Sequence, residues 1–511
     1  MVATSHSYAV SYAALHSRLK GIAAEEQKRK ISFCGYNAFD VTSRLMQRYA
    51  ELGVFEFTRL SAEIYRNTGK LPVEDETMNC GGLLFHSNMN VSLSVRMFIS
   101  QLMRFFALWG TTLFVIIFSL KVIGQRRRLT LLYGVGRQDL LAEGSDARFL
   151  DFCRNGKLPP VEMPRHLVIQ AYPAIISTDQ KQVTYGRVPL LQALRLSGLG
   201  LRSWLYALGL HIFSLFSFIS SVCLKPNLIL LGVDAAMHAV ATVLNRESVL
   251  EDVTLTTSNY FAQPLWMWAL PNRHFELHMV WYSQNMYPIS YVDEVAAVPM
   301  PNLSFLRADV HWVWSKGFLS FLQGICPPAK YKIVPPVVWH LKSACVPKVN
   351  RPRRIALFDV TPVNAAFERK MGLIRNYYTP ENMSSFILDV VDAAQEVGRQ
   401  TGSKIEVMLK HKRTPELNFH SSQYSETISN FEKYGLIQLI PADSNIHDIL
   451  SDCDILVAAP YSSPAYLGLN AGKIAFWYDP TETLDWKNGI PEIMLVKGKK
   501  QLLTEIIRAF V

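Results

Sequence analysis

The chain is short of charge and short of the spacings that bind metals. Of its 511 residues 18% are charged and 49% hydrophobic. That balance excludes a disordered chain and supplies a large core, spread over two or three domains at about 100–200 residues each. The seven cysteines (Cys34, Cys80, Cys153, Cys223, Cys326, Cys345, Cys453) are odd in number and far apart. With no CxxC pair and no Cys/His zinc spacing, neither a disulfide scaffold nor a zinc module is expected. Reduced thiols in a cytosolic compartment are. No long lysine or arginine tract occurs, which argues against a dedicated nucleic-acid binder. The net charge of +10 still favours anionic partners such as anionic lipid or phosphorylated small molecules. Internal repeats and low-complexity tracts are missing. The first residues, MVATSHSYAVSYAALHSRLK, lack the basic start and continuous apolar core of a secretory signal.

Long apolar runs are few. One is FFALWGTTLFVIIFSL (105–120), followed by Lys121 and the Arg126–Arg128 cluster; the other is WLYALGLHIFSLFSFISSVCL (204–224), between Arg202 and Lys225. A span needs about 20 apolar residues, so the first is short and the second just long enough. If both crossed a membrane, residues 125–203 would carry twelve Lys/Arg to the outer side, against the positive-inside tendency. Three readings stand: buried core helices, a monotopic or re-entrant membrane contact, or two spans. The arginine cluster beside an apolar helix suits an anionic leaflet, and equally a solvated helix end.

Residues 1–100 read as mixed helix with weak punctuation, and 125–200 hold turn signals such as YGVG (133–136) and KLPPVEMP (157–164). From 226 the pattern is α/β. NLILLGVD (227–234) reads as a buried strand ending in Asp234, AAMHAVATVLNR (235–246) as a helix, and EDVTLTTSN (251–259) and FELHMVWYSQN (275–285) as strands. A Pro-rich passage, 331–354, reads as a linker. Beyond it RIALFDV, SKIEVMLKHKR, GLIQLIP, DILVAAP and KIAFWYDP read as strands. TPENMSSFILDVVDAAQEVGRQTG (379–402), NIHDILSDC, PAYLGLNAG and KKQLLTEIIRAFV read as helices, the first capped by Thr379 or Glu381 and closed by Gly398/Gly402.

Ligands of an open parallel sheet bind beyond the carboxyl ends of its strands. Strand polarity puts four polar groups on that rim: Asp359 and Thr361 after IALF, Lys410-His411-Lys412-Arg413 after IEVML, Tyr461-Ser462-Ser463 after ILVAA, and Tyr478-Asp479 closing IAFWYD. A Ser-Ser pair between strand and helix offers hydroxyls and free N–H groups to an anion, and the small residues Ala465, Gly468, Ala471 and Gly472 let that helix pack closely. The basic strand end supplies charge for a phosphate. Each element has a plainer reading: helix cap, solvated edge or turn former. DCD (452–454) mimics a metal-binding DxD but lies before its strand, at the opposite rim. HFELH places His274, Glu276 and His278 on one strand face, which reads as a polar face before it reads as a metal site. YGVG is too weak to be a phosphate loop.

The series FDVTP, LKHKR and the turn leading to YDP resembles the bacterial polysaccharide biosynthesis PFTS-motif proteins. The name motif falls on Pro460-Tyr461-Ser462-Ser463, with Tyr461 in place of Phe and Ser462 in place of Thr; His411 stands where Pro is expected. WYSQN (281–285), QPLWMW (263–268) and YGVGRQ (133–138) also look like family segments, so the resemblance covers most of 125–511. The C-terminal pattern is similar to that of GT-B sialyl- and Kdo-transferases and of polyglycerolphosphate polymerases. The resemblance implies an α/β, GT-B-like fold: two Rossmann-like domains facing a cleft, with hydrophobic helices inserted in the N-terminal half. It implies an N-terminal helical region (1–124), an acceptor domain (125–345) and a nucleotide-donor domain (346–511). It implies transfer from a nucleotide-sugar donor, with no resident cofactor or metal, to a glycan or lipid-linked acceptor of capsule or O-antigen assembly. The expected placement is cytoplasmic, peripheral or monotopic at the cytoplasmic face of the inner membrane. A polyol-phosphate transferase on the same fold and a non-catalytic membrane-associated scaffold remain alternatives. In such a fold a base from the N-terminal domain would deprotonate the acceptor. Asp234 supported by His238 is the first candidate and Asp139 the second, Asp234 being equally a helix cap.

Overall fold

The computed structural model describes residues 8–28, 30, 32–70, 77–119, 128–134, 166–170, 183–256, 263–281, 283, 289–293, 303–336, 352–371, 375–412, 419–442, 444–487 and 492–510. It opens with helices α1 (Tyr8–Lys28) and α2 (Ala38–Thr68). A small antiparallel sheet of β1 (Met78–Cys80), β2 (Leu83–Phe85) and β3 (Val91–Leu93) follows, then helix α3 (Val95–Phe118). Helix α2 has clear ends: the Asn37 side chain accepts from the Asp40 N–H, and left-handed Gly69 turns its own N–H back to the Tyr65 carbonyl.

Two parallel sheets follow in sequence. The first comprises β4 (Leu129–Tyr133), β5 (His166–Gln170), β6 (Val183–Gly186), β7 (Leu250–Thr256), β8 (Glu276–Val280), β9 (Val310–Val313) and β10 (Lys330–Ile333), in the order β10-β9-β8-β7-β4-β5-β6. Helices α4 (Pro189–Leu196), α5 (Leu201–Leu224) and α6 (Gly232–Arg246) lie between β6 and β7, and α7 (Lys316–Ile325) between β9 and β10. The second comprises β11 (Arg353–Phe358), β12 (Ile405–Lys410), β13 (Gln438–Ile440), β14 (Ile455–Ala458), β15 (Ile474–Asp479) and β16 (Leu495–Lys497), in the order β13-β12-β11-β14-β15-β16. Its helices are α8 (Ala365–Met371), α9 (Pro380–Thr401), α10 (Ser422–Lys433), α11 (Ile446–Ser451), α12 (Pro464–Asn470) and α13 (Gly498–Phe510). Counted from its own first strand, the second sheet runs 3-2-1-4-5-6. The first has the same order with one strand added at its far edge, so both are doubly wound Rossmann-like sheets. Central strands such as LTLLY (β4) and ILVA (β14) are buried along their whole length, as parallel strands covered on both faces must be.

Three sequence expectations change. Residues 227–234 form no strand: Pro226–Leu231 is a 3-10 turn running into α6, with Asp234 in the first turn of that helix. A short apolar run has no period to tell a buried strand from a buried helix, and this one is leucine-rich with Pro226 at the helix-starting position. The 331–354 passage is not all linker, because Lys330–Ile333 is an edge strand of the first sheet. The early region contains the unanticipated β1–β3 sheet, whose strands are only three residues each.

Residues just past the strands of the first sheet meet residues just past those of the second. Ser283, after β8, touches Ser463, after β14. Trp314, after β9, joins the apolar cluster of Phe358 and Ala458. Tyr291 bridges to Leu484, and Arg375 sits 3.5 Å over the Tyr291 ring while pairing with Asp293 at 3.0 Å. The carboxyl ends of the two sheets therefore face each other, flanking a cleft.

Candidate functional site

The register of the second sheet sets its rim. Phe358 pairs with Lys410 on one side and with Ala458 on the other. The next residues outward, Asp359, His411 and Ala459, thus stand side by side where the winding reverses between β11 and β14. That switch point is where open α/β sheets bind ligands.

Asp359 is buried there and accepts three hydrogen bonds. They come from His411 Nδ1 at 2.6 Å, the Lys412 N–H at 2.9 Å and the Tyr424 hydroxyl at 2.8 Å. Because Asp359 is an acceptor, it holds the proton on Nδ1 and leaves Nε2 as the ring atom turned away from it. Burial and the neighbouring carboxylate push the Tyr424 hydroxyl well above its usual range, so it remains a donor. Thr361, two residues beyond Asp359, is buried, and its Oγ1 has no partner among the described residues. Tyr424, on α10, was missed in the sequence: nothing in SQYSETIS marks it, and only the packing of α10 against the rim brings it to Asp359.

The turn after β14 is braced from inside. Tyr461 takes the left-handed conformation (φ 61°), stacks at 5.5 Å on both Trp477 and Trp486, and donates its hydroxyl to the Asp485 carbonyl. Ser462 is buried; its Oγ donates to the Ala459 carbonyl at 2.6 Å and its own carbonyl accepts from Trp477 Nε1 at 2.9 Å. The Tyr378 hydroxyl holds the Pro460 carbonyl at 2.7 Å. Of the two hydroxyls expected to face a ligand, Ser462 turns inward. Ser463 reaches across the cleft, with its Oγ 3.0 Å from that of Ser283. Ser283 lies in the WYSQN segment, so the sequence marked the segment without indicating the serine.

Other expected donor residues also face the interior. Tyr478 donates to Asp389 at 2.6 Å and ties β15 to α9. Asp479 is fully buried and accepts from the Tyr377 hydroxyl, the Thr481 N–H and hydroxyl, and the Leu484 N–H. Lys410 Nζ donates to the Ala442 carbonyl at 2.6 Å, while the Lys412 side chain is exposed at the rim. Arg413 and Asp139 lie outside the described residues.

Asp234 is fully buried. Its Oδ1 accepts from the Leu265 N–H at 2.5 Å and lies 3.4 Å from Arg44 Nε, itself buried on α2. His238, one turn on, faces the Tyr36 hydroxyl at 3.2 Å, and burial lowers its pKa to about 4. In this conformation Asp234 is closed to an acceptor; it braces α6 against α2, and His238 braces α6 against the turn that precedes α2. The DCD segment sits as its polarity required: Asp452 and Asp454 hold Arg354 at the amino end of β11. His278 is engaged by Asp252 and by Trp312 Nε1 within the first sheet.

Two Rossmann-like domains of matching strand order, meeting at their carboxyl ends with a polar crevice at the switch point of the second, make this a protein of GT-B-like architecture. The chain belongs to the polysaccharide biosynthesis PFTS motif protein family, whose profile matches residues 212–503. None of the curated proteins matches it. Among solved structures, a sucrose-phosphate synthase from Thermosynechococcus elongatus aligns at 13% identity over 75% of this chain and 90% of its own, with a TM-score of 0.41. A glycosyltransferase from Rickettsia africae aligns at 11% identity over 75% and 88%, with a TM-score of 0.37. An α,α-trehalose-phosphate synthase from Burkholderia xenovorans aligns at 10% over 75% and 92%, with a TM-score of 0.35. These are distant likenesses, and the family assignment rests on the sequence match.

Proposed function

We propose that this chain is a glycosyltransferase that moves a sugar from a nucleotide-activated donor to a growing bacterial surface polysaccharide of the capsule or O-antigen type. Membership of a polysaccharide-biosynthesis family supports the setting. The observation that carries the chemistry is the Asp359–His411 pair at the switch point, beside the Thr361 hydroxyl that is unpartnered among the described residues, and within the cleft between the sheets.

In this reading the acceptor oxygen bonds to the anomeric carbon as the bond from that carbon to the donor phosphate breaks. The nucleotide leaves with the electron pair. Asp359 fixes the His411 ring through Nδ1, the ring acts in its imidazolium form with Nε2 donating to the departing phosphate, and the Lys412 ammonium adds charge. Oriented donors of this kind stabilise a developing anion without solvent reorganisation, so the reaction needs no metal. The Thr361 hydroxyl supplies a further donor. The acceptor proton passes to a base from the first domain. With Asp234 closed off, Asp139 is the better of the two expected candidates. The acceptor is a glycan or a lipid-linked chain at the cytoplasmic face of the inner membrane.

The test is a melting-temperature screen with CMP, CDP, UDP and GDP on the wild type and His411→Ala. A ligand that binds only the folded state at about 100 times its Kd adds about 2.7 kcal/mol. Stabilisation by one nucleotide, lost in the variant, is expected. Its identity separates sugar classes from a CDP-linked polyol donor. Folded wild type indifferent to all four nucleotides overturns the proposal in favour of a scaffold.

A further inference from the structure

Among the described residues three helices are long and apolar enough to cross a membrane by length and composition, and they are treated very differently. The third, Pro226–Arg246, has 89% of its most apolar stretch buried and is core. Helices α3 and α5 bury only 22% and 33% of theirs. They lie antiparallel, because the partner numbers fall as the chain rises. Phe105 stacks on Phe218 at 3.9 Å, Trp109 on His211 at 4.6 Å, and Trp204 Nε1 donates to the Ile116 carbonyl at 2.6 Å. Inner polar groups tie the pair together: Trp109 Nε1 donates to the His211 carbonyl, and His211 Nε2 faces the Trp109 carbonyl at 3.0 Å. Behind them is α6, seated so closely that a Cβ on Gly232 would lie 2.9 Å from the Phe105 Cβ.

The outer face is bare and apolar. Met103, Phe106, Phe114 and Phe118 form an exposed stripe at helical spacing along α3, and Leu205, Phe213, Phe216 and Leu224 another along α5. Neither helix contains an Asp or Glu. Their only formal charges are Arg96 and Arg104 toward the start of α3 and Arg202 at the start of α5. Since the helices are antiparallel, Arg96 and Arg202 mark opposite ends of the face, with Arg104 about 12 Å inward of Arg96. Thr111, among the exposed residues, donates to the Ala107 carbonyl of its own helix. Two helices of 24 residues, each about 36 Å long and 10 Å wide, present on the order of 700 Å². That exceeds the roughly 300–600 Å² of the largest apolar patch on a typical monomer.

The sheet excludes crossing. Strands β4 to β6 lie between α3 and α5 in the chain, yet β4 pairs directly with β7, which follows α5 (Leu131 opposite Val253, Leu132 opposite Thr254). Were both helices to traverse a bilayer, β4 and β7 would stand on opposite sides of it. Were only α5 to do so, β7 would be separated from β4; were only α3 to do so, Asn227, just before α6, would be separated from the Val91 carbonyl of β3 to which it donates at 2.6 Å. We infer that the α3/α5 face docks on a lipid bilayer and lies in the plane of the interface without crossing it. Its phenylalanines and leucines enter the acyl boundary, and the arginines at its two ends take anionic headgroups. The inference rests on the membrane placement proposed above and names the surface that achieves it.

The test is flotation of the purified full chain with vesicles of phosphatidylethanolamine and phosphatidylglycerol, beside Phe114→Glu/Phe216→Glu and Arg96→Gln/Arg202→Gln. Both positions of the first pair are exposed, so that variant is expected to fold, to need less detergent and to lose about tenfold or more of its vesicle-bound fraction. The arginine variant is expected to lose its preference for anionic over phosphatidylcholine vesicles. Crossing is read with Arg96→Cys and Arg128→Cys, which flank α3. An impermeant maleimide outside sealed vesicles, mapped by peptide mass spectrometry, should label both. Protection of one until detergent is added overturns the in-plane placement. Equal flotation of the glutamate variant, or a wild type that dimerises through this face and ignores vesicles, overturns the docking surface. Nucleotide stabilisation of the glutamate variant separates the two proposals: if it persists while flotation is lost, the surface is membrane-specific and the donor site stands by itself.

Discussion

At the scale of residues, two of the buried aspartates of the second domain have different consequences. Asp359 joins His411 to the rim, so its removal strands three donors, one of them the imidazole that faces the cleft. Asp359→Ala should lower stability by about 3 kcal/mol or more. His411→Ala leaves Asp359 two of its three donors and should cost only about 1–2 kcal/mol while lowering transfer activity by about 10²–10³-fold. Equal losses of stability in both variants would place His411 in the core and not in the site. Asp479 receives four donors from Tyr377, Thr481 and Leu484 and is fully buried. Asp479→Ala should destabilise by about 3–5 kcal/mol, with nucleotide affinity of the folded fraction unchanged. A weakened affinity without a shift in the denaturation midpoint would restore the ligand role its position first suggested.

At the scale of elements, the helix after the motif turn is held against the sheet by a missing side chain. A Cβ on Gly468 would lie 2.8 Å from that of Ala475 on β15 and 3.2 Å from Leu456 on β14. Both neighbours belong to buried strands and cannot give way. Gly468→Ala should cost about 1–3 kcal/mol by overpacking. It should also weaken nucleotide stabilisation, because Ser463 caps the start of α12 and shifts with it. A variant that melts with the wild type would show that α12 is free to slide. The run of small residues was legible in the sequence, but not their separate tasks. Ala465 and Gly468 make the contact, Ala471 ends the helix, and Gly472 turns the chain with φ 72°.

At the scale of the whole molecule, stability should depend on pH through histidines built into the first domain. Burial lowers His238 and His311 from about 6.5 to about 4. His311 accepts from Trp281 Nε1 and stacks on Tyr331, so it is neutral where it sits. Between the two values the unfolded chain binds protons that the folded chain does not. Stability is therefore full above about pH 6.5 and falls as pH drops toward 4, by about 1.4 kcal/mol per unit for each ring. Urea midpoints at neutral pH and near pH 5 check this. A midpoint that stays level across that interval would mean both rings are charged in the fold.

What the sequence by itself determined is the second domain. Five of its six strands read as short apolar runs between turn signals, only the three-residue β16 escaping, and its longest helix carries visible caps at Thr379 and Gly402, so local chemistry and global fold agree. Strand polarity alone sufficed to put Asp359, His411 and Ser463 on one rim and the DCD segment on the other. Tertiary structure decided which way each rim side chain points. Whether Tyr461, Ser462, Tyr478 and Asp479 face a ligand or the interior depends on Trp477, Trp486, Asp389 and Tyr377, which are remote in sequence and become partners only on folding. It also decided the fate of the apolar segments. Residues 95–118, 201–224 and 226–246 have similar composition, but the third is sandwiched behind the other two, whose outer faces remain bare. Hydropathy registers only how apolar a segment is; the pairing of β4 with β7 determines on which side of a membrane the segments beside it can stand.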